Sequence, residues 1–145
     1  MKSIENIKDK QFLTILTDVK EEVLKLFGGK LRQLILYGSY ARNEQDPESD
    51  IDIMILVDEN EAVLRKYTYK IADIMTDLSL KYDKFISLTE ETYSRYSEYL
   101  DVLPYFRNIY DEGIKIYGKK SSLIYPLKGE KNGFNTCTIK SKEKP

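Results

Sequence analysis

Two aspartates that lie two residues apart are the strongest candidates in this sequence for catalytic or metal-binding residues. Asp50 and Asp52 alternate with apolar residues in the run 50–57, a pattern typical of a strand with one buried face. Two carboxylates on the same face of a strand repel each other unless a cation lies between them. Such oxygen ligands, together with substrate phosphates, favour Mg²⁺. The spacing therefore predicts a magnesium site, with a solvated strand end as the alternative.

A Gly-Ser pair ahead of these carboxylates is the second candidate feature. Gly38 and Ser39 follow the short apolar run 34–37. Glycine lets the backbone approach a ligand closely, and a serine at the beginning of a helix offers its hydroxyl and free N–H groups to an anion. We therefore expect a phosphate seat where a short helix begins at Ser39, with an ordinary turn as the alternative. The GxxxxGK[ST] spacing of a P-loop is absent from the sequence.

The combined stretch carries a family resemblance. GSYAR at 38–42, followed by SDIDI at 49–53, resembles the nucleotidyltransferase superfamily that includes DNA polymerase β. It is most similar to the small branch of minimal nucleotidyltransferases, and the resemblance extends over about residues 8–118. It implies an α/β nucleotidyltransferase fold with a small mixed sheet flanked by helices.

The resemblance also implies roles for individual residues. Gly38 and Ser39 would contact the nucleotide phosphates, and Arg42 would help to place the loop or a phosphate. Asp50 and Asp52 would ligate two Mg²⁺ ions, and so carry the catalytic chemistry.

The sequence departs from the family pattern at two places. Asn43 stands where the family has glycine, and asparagine is the residue that next best tolerates a left-handed backbone. A third carboxylate is expected on the next strand, and Asp83 is the acid nearest to the run 85–88. Alternation would put Asp83 on the face of Ser87, as a third catalytic residue and metal ligand. If the family position instead falls at Ser87, the acid is missing.

The activity implied by the resemblance is Mg²⁺-dependent transfer of AMP from ATP to a hydroxyl of a partner protein. In the toxin–antitoxin modules of the minimal branch, the acceptor is a tyrosine of a HEPN ribonuclease toxin, and the nucleotidyltransferase is the antitoxin. Two alternatives stay open. Without a third acid, the chain would be an inactive module that neutralises its partner by contact. A small-molecule enzyme of the aminoglycoside type would need an acceptor domain for which this chain has no room.

Hydrophobic periodicity predicts the elements that position these residues. Strands that alternate with helices indicate a sheet covered by helices, of the α/β or α+β type. The predicted elements are a helix over 10–27, strands over 31–37 and 50–57, a long helix from about 61 to 82, a strand over 85–88, helices over 90–100 and 104–112, and a strand over 114–117.

Composition excludes several kinds of site. The 145 residues suffice for one domain of ordinary size and contain no histidine, so imidazole bases and ligands are excluded. The single cysteine, Cys137, excludes an intramolecular disulfide framework and a cysteine zinc site. We expect a cytoplasmic protein, because no apolar run approaches the roughly 18 residues of a membrane span and no secretory h-region is present.

The charge distribution divides the chain into two segments. Residues 119–145 contain seven Lys and two Glu, a net charge of +5. Because the whole chain has a net charge of −1, residues 1–118 carry −6. The acidic body argues against general nucleic-acid binding. We predict a nucleotidyltransferase domain over 1–118 and a basic, poorly ordered tail over 119–145. The expected partners are an NTP and the HEPN-type toxin protein, and the sequence leaves homo-oligomerisation open.

Overall fold

A five-stranded mixed sheet organises the computed structural model, which describes residues 1–119. The strands run across the sheet in the order β1-β5-β2-β3-β4. β2 is antiparallel to both of its neighbours, whereas β3 pairs with β4, and β1 with β5, in parallel. The architecture confirms the predicted α/β fold class, a small mixed sheet flanked by helices. The strands are β1 (Lys2–Ser3), β2 (Leu31–Tyr37), β3 (Ile51–Val57), β4 (Ile86–Thr92) and β5 (Ile114–Gly118).

In the described part of the chain, five α-helices connect and cover these strands. α1 begins where the Asp9 carboxylate accepts a hydrogen bond of 3.1 Å from the Phe12 amide, and it ends at Gly28, whose φ is 55°. α5 begins at Pro104, whose fixed φ and missing N–H suit the first helical position. The helices are α1 (Lys10–Phe27), α2 (Glu61–Leu64), α3 (Thr68–Tyr82), α4 (Tyr93–Glu98) and α5 (Pro104–Glu112).

The larger core lies between the sheet and helices α1 and α3. Alternate residues of the two central strands enter it, and Ile51, Ile53 and Ile55 of β3 are fully buried there. This confirms the prediction that the isoleucines of the carboxylate strand take the buried face. The other main contributors are Leu34 and Leu36 from β2, Ile86 and Leu88 from β4, Ile15, Leu16, Val19 and Val23 from α1, and Ile71 and Leu78 from α3.

A smaller core covers part of the opposite face. Met54 and Leu56 of β3 are fully buried there beneath residues of α4, α5 and the segment between them. Asp52 belongs to the same face, because residues two apart on a strand point the same way. It remains partly exposed, so the cover over this face is incomplete at the end of the strand where Asp52 lies.

Two predicted elements differ from the observed ones. The helix expected over 61–82 is divided by a 3₁₀ turn, Arg65–Tyr67, which places the Tyr67 ring 4.6 Å from that of Phe27. The strand predicted over 85–88 continues to Thr92, since its parallel pairing with β3 extends as far as the Val57–Thr92 pair. The predicted helix over 90–100 is therefore limited to α4, which Thr92 caps by accepting a hydrogen bond from the Arg95 amide.

Apart from Lys119, the predicted tail lies outside the described residues, as does Cys137. Within residues 1–119, none of the helices combines the length and the apolar character that crossing a bilayer requires.

Candidate active site

The central strands bring the Gly-Ser turn to the carboxylates. β2 ends at Tyr37, which pairs directly with Asp52 across the antiparallel ladder, so Gly38 begins its turn beside Asp52. Gly38 has a φ of 78°, and a Cβ atom at this position would lie 2.5 Å from Oδ2 of Asp52. Only glycine fits this contact without displacing the carboxylate. Two features that are fourteen residues apart in sequence thus form one site.

The loop after Gly38 is a tight turn and not the helix that the sequence predicted. The Gly38 carbonyl accepts hydrogen bonds from the amides of Ala41 and Arg42, and the Ser39 carbonyl accepts one from Glu44. No regular helix continues from these bonds, because Asn43 turns the chain with a φ of 58°. Asn43 thus adopts the left-handed conformation expected of it in place of the family's glycine. Ser39 is partly exposed in this turn and lies within the same loop as Arg42.

Asp52 and Asp50 form the electrostatic centre of the site. Burial raises the pKa of Asp52, and the charge of Asp50 raises it further, while Arg42 partly opposes both. Asp50 is exposed and lies one residue before β3 begins. The structure therefore brings the two carboxylates close enough to repel each other. A bound cation would relieve this repulsion.

Arg42 acts as a tether for the loop. Its guanidinium donates to Glu44 at 2.9 Å and to Glu112 at the end of α5 at 3.4 Å. These ion pairs join the turn to a helix on the Asp52 face. The arrangement fits the loop-placing role that the resemblance implied for Arg42.

The structure does not bring Asp83 into this group. Asp83 is the exposed residue that ends α3, with a φ of 53°, and β4 begins only at Ile86, so its predicted place on a strand face is wrong. The residue of β4 that pairs with Asp52 is Ser87. Ser87 faces away from the larger core, as Asp52 does, because Ile86 and Leu88 on either side enter that core. The side chain beside Asp52 on β4 is therefore a hydroxyl and not a carboxylate.

The donor set decides which metal the site fits. Among residues 1–119, no three or more His, Cys, Asp or Glu side chains are grouped as a complete metal site. Mg²⁺ does not require such a cage, since it commonly takes one or two carboxylates plus substrate phosphates and water. Asp50 and Asp52, with a Gly-Ser turn in contact with Asp52, fit that mode of binding.

Sequence reasoning missed two tyrosines at the site. Tyr37 precedes the Gly-Ser pair, and its pairing with Asp52 follows from the β2–β3 register. Tyr105, at the beginning of α5, reaches the same place, and its hydroxyl lies 3.1 Å from that of Tyr37. Tyr37 could have been found from the sequence, because it directly precedes Gly38. The place of Tyr105 beside Tyr37 follows only from the tertiary structure.

A glycine turn against paired carboxylates on an α/β sheet is the arrangement expected of a nucleotide-transferring enzyme. The model of a family described as "Nucleotidyltransferase domain" matches residues 16–122, more than two thirds of the chain. A protein of Methanocaldococcus jannaschii, whose name proposes a protein adenylyltransferase, is 40% identical over 77 residues. That match covers 53% of this chain and 76% of the relative. The chain belongs to the nucleotidyltransferase domain family and is an enzyme of that class.

Solved structures with a similar chain come from toxin–antitoxin systems. One is described as a toxin–antitoxin with AMP-PNP, and its chain gives a TM-score of 0.48 at 19% identity, covering 72% of this chain and 74% of that one. Another is a tri-AMPylated Shewanella oneidensis HEPN toxin in complex with MNT antitoxin. Its TM-score is 0.42 at 17% identity, with 74% and 73% of the two chains covered. The family assignment rests on the family model and on the Methanocaldococcus relative.

Proposed function

We propose that this nucleotidyltransferase is a protein adenylyltransferase that transfers AMP from ATP to a tyrosine hydroxyl of a HEPN-type toxin, for which it serves as the antitoxin. The observation that carries the proposal is the contact between Gly38 and Asp52, which makes one site of a phosphate seat and a carboxylate pair. The Methanocaldococcus relative, whose name proposes protein adenylylation, supports a protein as the acceptor. The tyrosine and the HEPN partner rest on the resemblance of GSYAR and SDIDI to the minimal branch. Use of ATP is consistent with the predicted cytoplasmic location.

Each side chain of the site has a defined task in this proposal. The Gly38 backbone admits the triphosphate close to Asp52, and the Ser39 hydroxyl donates to a phosphate oxygen. Asp50 and Asp52 hold Mg²⁺, which when bound neutralises phosphate charge and lowers the pKa of a coordinated hydroxyl. Arg42 holds the turn in place through Glu112. A docked partner would exclude water and so limit hydrolysis of ATP.

One observation favours a second candidate function. Ser87 occupies the position beside Asp52, and residues 1–119 contain no group of three acids that could hold a metal. A site with two carboxylates could bind nucleotide and metal but transfer slowly. The chain would then neutralise its partner by covering it, without modifying it.

The test is a transfer assay with the purified chain, Mg²⁺, labelled ATP and a HEPN-type protein encoded beside it. We expect the partner to gain the mass of one AMP per modified tyrosine. Asp52→Asn should lower the rate at least about 100-fold, since it removes a proposed metal ligand. Asp77→Asn, an exposed carboxylate on α3, is the matched control and should leave the rate unchanged. Asp83→Asn should also leave it unchanged, given the place of Asp83 outside β4.

The outcomes separate the candidates. Tight binding and inhibition of the partner without label would replace the adenylyltransferase proposal by the binding module. Label on a small-molecule hydroxyl such as an aminoglycoside, with no partner bound, would contradict the antitoxin assignment. Equal transfer by wild type and Asp52→Asn would contradict the proposed mechanism itself.

A further inference from the structure

A tyrosine of the chain itself lies next to the strand end that carries Asp52. Tyr105 is the second residue of α5, and half of its surface is exposed. Its hydroxyl forms a hydrogen bond of 3.1 Å with the hydroxyl of Tyr37. The two rings meet edge to face, with centroids 6.2 Å apart. The Tyr105 phenol therefore has a defined position over the end of β2.

That position is beside the carboxylate pair. Tyr37 and Asp52 are directly paired across antiparallel strands, which puts their side chains next to each other on one face of the sheet. Burial raises the pKa of Tyr105, and so do the hydrogen bond with Tyr37 and the charges of Asp52 and Glu91. Tyr105 is therefore within electrostatic reach of Asp52. Half of the surface of Tyr105 remains exposed beside this site.

We propose that Tyr105 is itself an acceptor, so that the chain adenylylates its own Tyr105 when no partner occupies the site. The inference rests on the proposed function, because it uses the same ATP seat and the same carboxylates. The phenolic oxygen forms a bond to the α-phosphorus of ATP, and the bond between that phosphorus and the oxygen bridging to the β-phosphorus breaks. Pyrophosphate leaves, and the phenolic proton passes to solvent.

Three other tyrosines of the described region are less suited to this step. Tyr69 is the most exposed of them, at 85%, but it lies on α3, on the face of the sheet opposite Asp52. Tyr96 is fully buried in the smaller core and inaccessible to a nucleotide. Tyr37 is less exposed than Tyr105 and lies below it. Tyr105 combines exposure, a fixed ring and proximity to Asp52.

Modification of Tyr105 would have a consequence for the partner. An adenylyl group on this phenol would stand next to Asp52, where the partner's hydroxyl must approach. A modified chain would therefore adenylylate its partner more slowly than an unmodified one. A bound partner would in turn protect Tyr105, since both hydroxyls compete for one position.

The experiment uses the full chain with Mg²⁺ and ATP, without a partner. We expect the intact protein to gain the mass of one AMP. Trypsin separates the candidates, because cleavage after Arg32, Arg42, Arg95 and Arg107 puts Tyr37 in the peptide 33–42 and Tyr105 in the peptide 96–107. The label should lie in peptide 96–107, and fragmentation should assign it to Tyr105.

Variants distinguish loss of the acceptor from loss of the site. Tyr105→Phe should lower labelling at least tenfold, while its affinity for a nonhydrolysable ATP analogue in calorimetry stays within about threefold of wild type. Tyr69→Phe is the matched control and should be labelled like wild type. Prior labelling should slow transfer to the partner for the wild type but not for Tyr105→Phe.

Label at Tyr37 or at another tyrosine, or equal labelling of Tyr105→Phe, would overturn the inference. So would a wild-type chain that binds ATP and labels its partner yet stays unmodified, and in that case the proposed function stands. If the chain neither binds ATP nor labels its partner, the proposed function fails and self-modification fails with it.

Discussion

Gly38 has the most constrained backbone position at the site. Its φ of 78° lies in the left-handed region, and the Asp52 carboxylate occupies the space that a side chain would need. Both constraints act on the same residue. The conformation of the turn and the position of Asp52 are therefore coupled.

We predict that Gly38→Ala weakens binding of Mg²⁺ with ATP at least tenfold, because the new methyl group must displace Asp52. The left-handed backbone should also lower the free energy of unfolding by about 1–3 kcal/mol. Calorimetry and urea denaturation measure the two effects. The matched control is Gly29→Ala, where a Cβ atom would meet nothing within 4 Å. That variant should bind normally and unfold within about 0.5 kcal/mol of wild type. Normal binding by Gly38→Ala would contradict the role given to this turn.

At the scale of elements, helices α1 and α3 are joined by a polar contact at the rim of the larger core. The Asp18 carboxylate of α1 accepts hydrogen bonds from Lys81, at 2.8 Å, and from the Tyr82 hydroxyl, both near the end of α3. These two hydrogen bonds, that of Lys81 first, hold the pKa of Asp18 below its usual value. The contact supports the packing of both helices on the face opposite the carboxylate pair.

The lowered pKa predicts a pH-dependent contribution to stability. A carboxyl group whose pKa is lower in the folded chain stabilises the fold above its usual pKa of about 3.9. This contribution is lost as the pH falls through the folded-state value. Asp18→Asn should therefore lower the free energy of unfolding at pH 7, and its difference from wild type should shrink below about pH 4.

Urea denaturation at several pH values measures this difference. Asp73→Asn is the control, since Asp73 is an exposed carboxylate on α3 that makes no hydrogen bond or ion pair with another residue of 1–119. Asp73→Asn should show no such pH dependence. A difference between Asp18→Asn and wild type that stays constant down to pH 2 would contradict the explanation.

At the scale of the whole molecule, β5 is the last strand in residues 1–119. β5 lies between β1 and β2, and the next residue, Lys119, still donates to carbonyls of the body. Its amide donates a hydrogen bond of 2.9 Å to the Arg32 carbonyl, and its ammonium group donates one of 2.6 Å to the Gly29 carbonyl. The domain boundary after residue 118 stays a prediction.

We predict that a chain ending at Lys119 unfolds within about 2 °C of the full chain and binds ATP with the same affinity. Differential scanning calorimetry and titration calorimetry measure the two quantities. A chain ending at Glu112 is the control, and it should fail to fold because it lacks β5 between β1 and β2. Loss of ATP binding on truncation at Lys119 would show that residues beyond the boundary belong to the functional domain.

Local hydrophobic patterns in the sequence were sufficient to predict the bounds of the helices and strands that pack by one regular face. The bounds predicted for α1 and β2 match the observed ones, and the strand that carries Asp52 differs by one residue. The division of the long helix at Arg65–Tyr67 and the extension of β4 to Thr92 were missed. In both cases a distant element decides the local structure, through the Phe27 ring in one and the β3 ladder in the other.

The sequence by itself determined which residues are the candidates for the site, because the Gly-Ser pair and the two aspartates lie on adjacent segments joined by a short connection. Their residue types and short spacing predict a phosphate site and a cation site before any fold is known. Only the tertiary structure decided what stands around them. Ser87 lies beside Asp52 through a parallel register, and Tyr105 meets Tyr37, the antiparallel partner of Asp52, by the packing of α5 on the sheet. Such placements depend on pairing and packing between distant segments, which no local periodicity encodes.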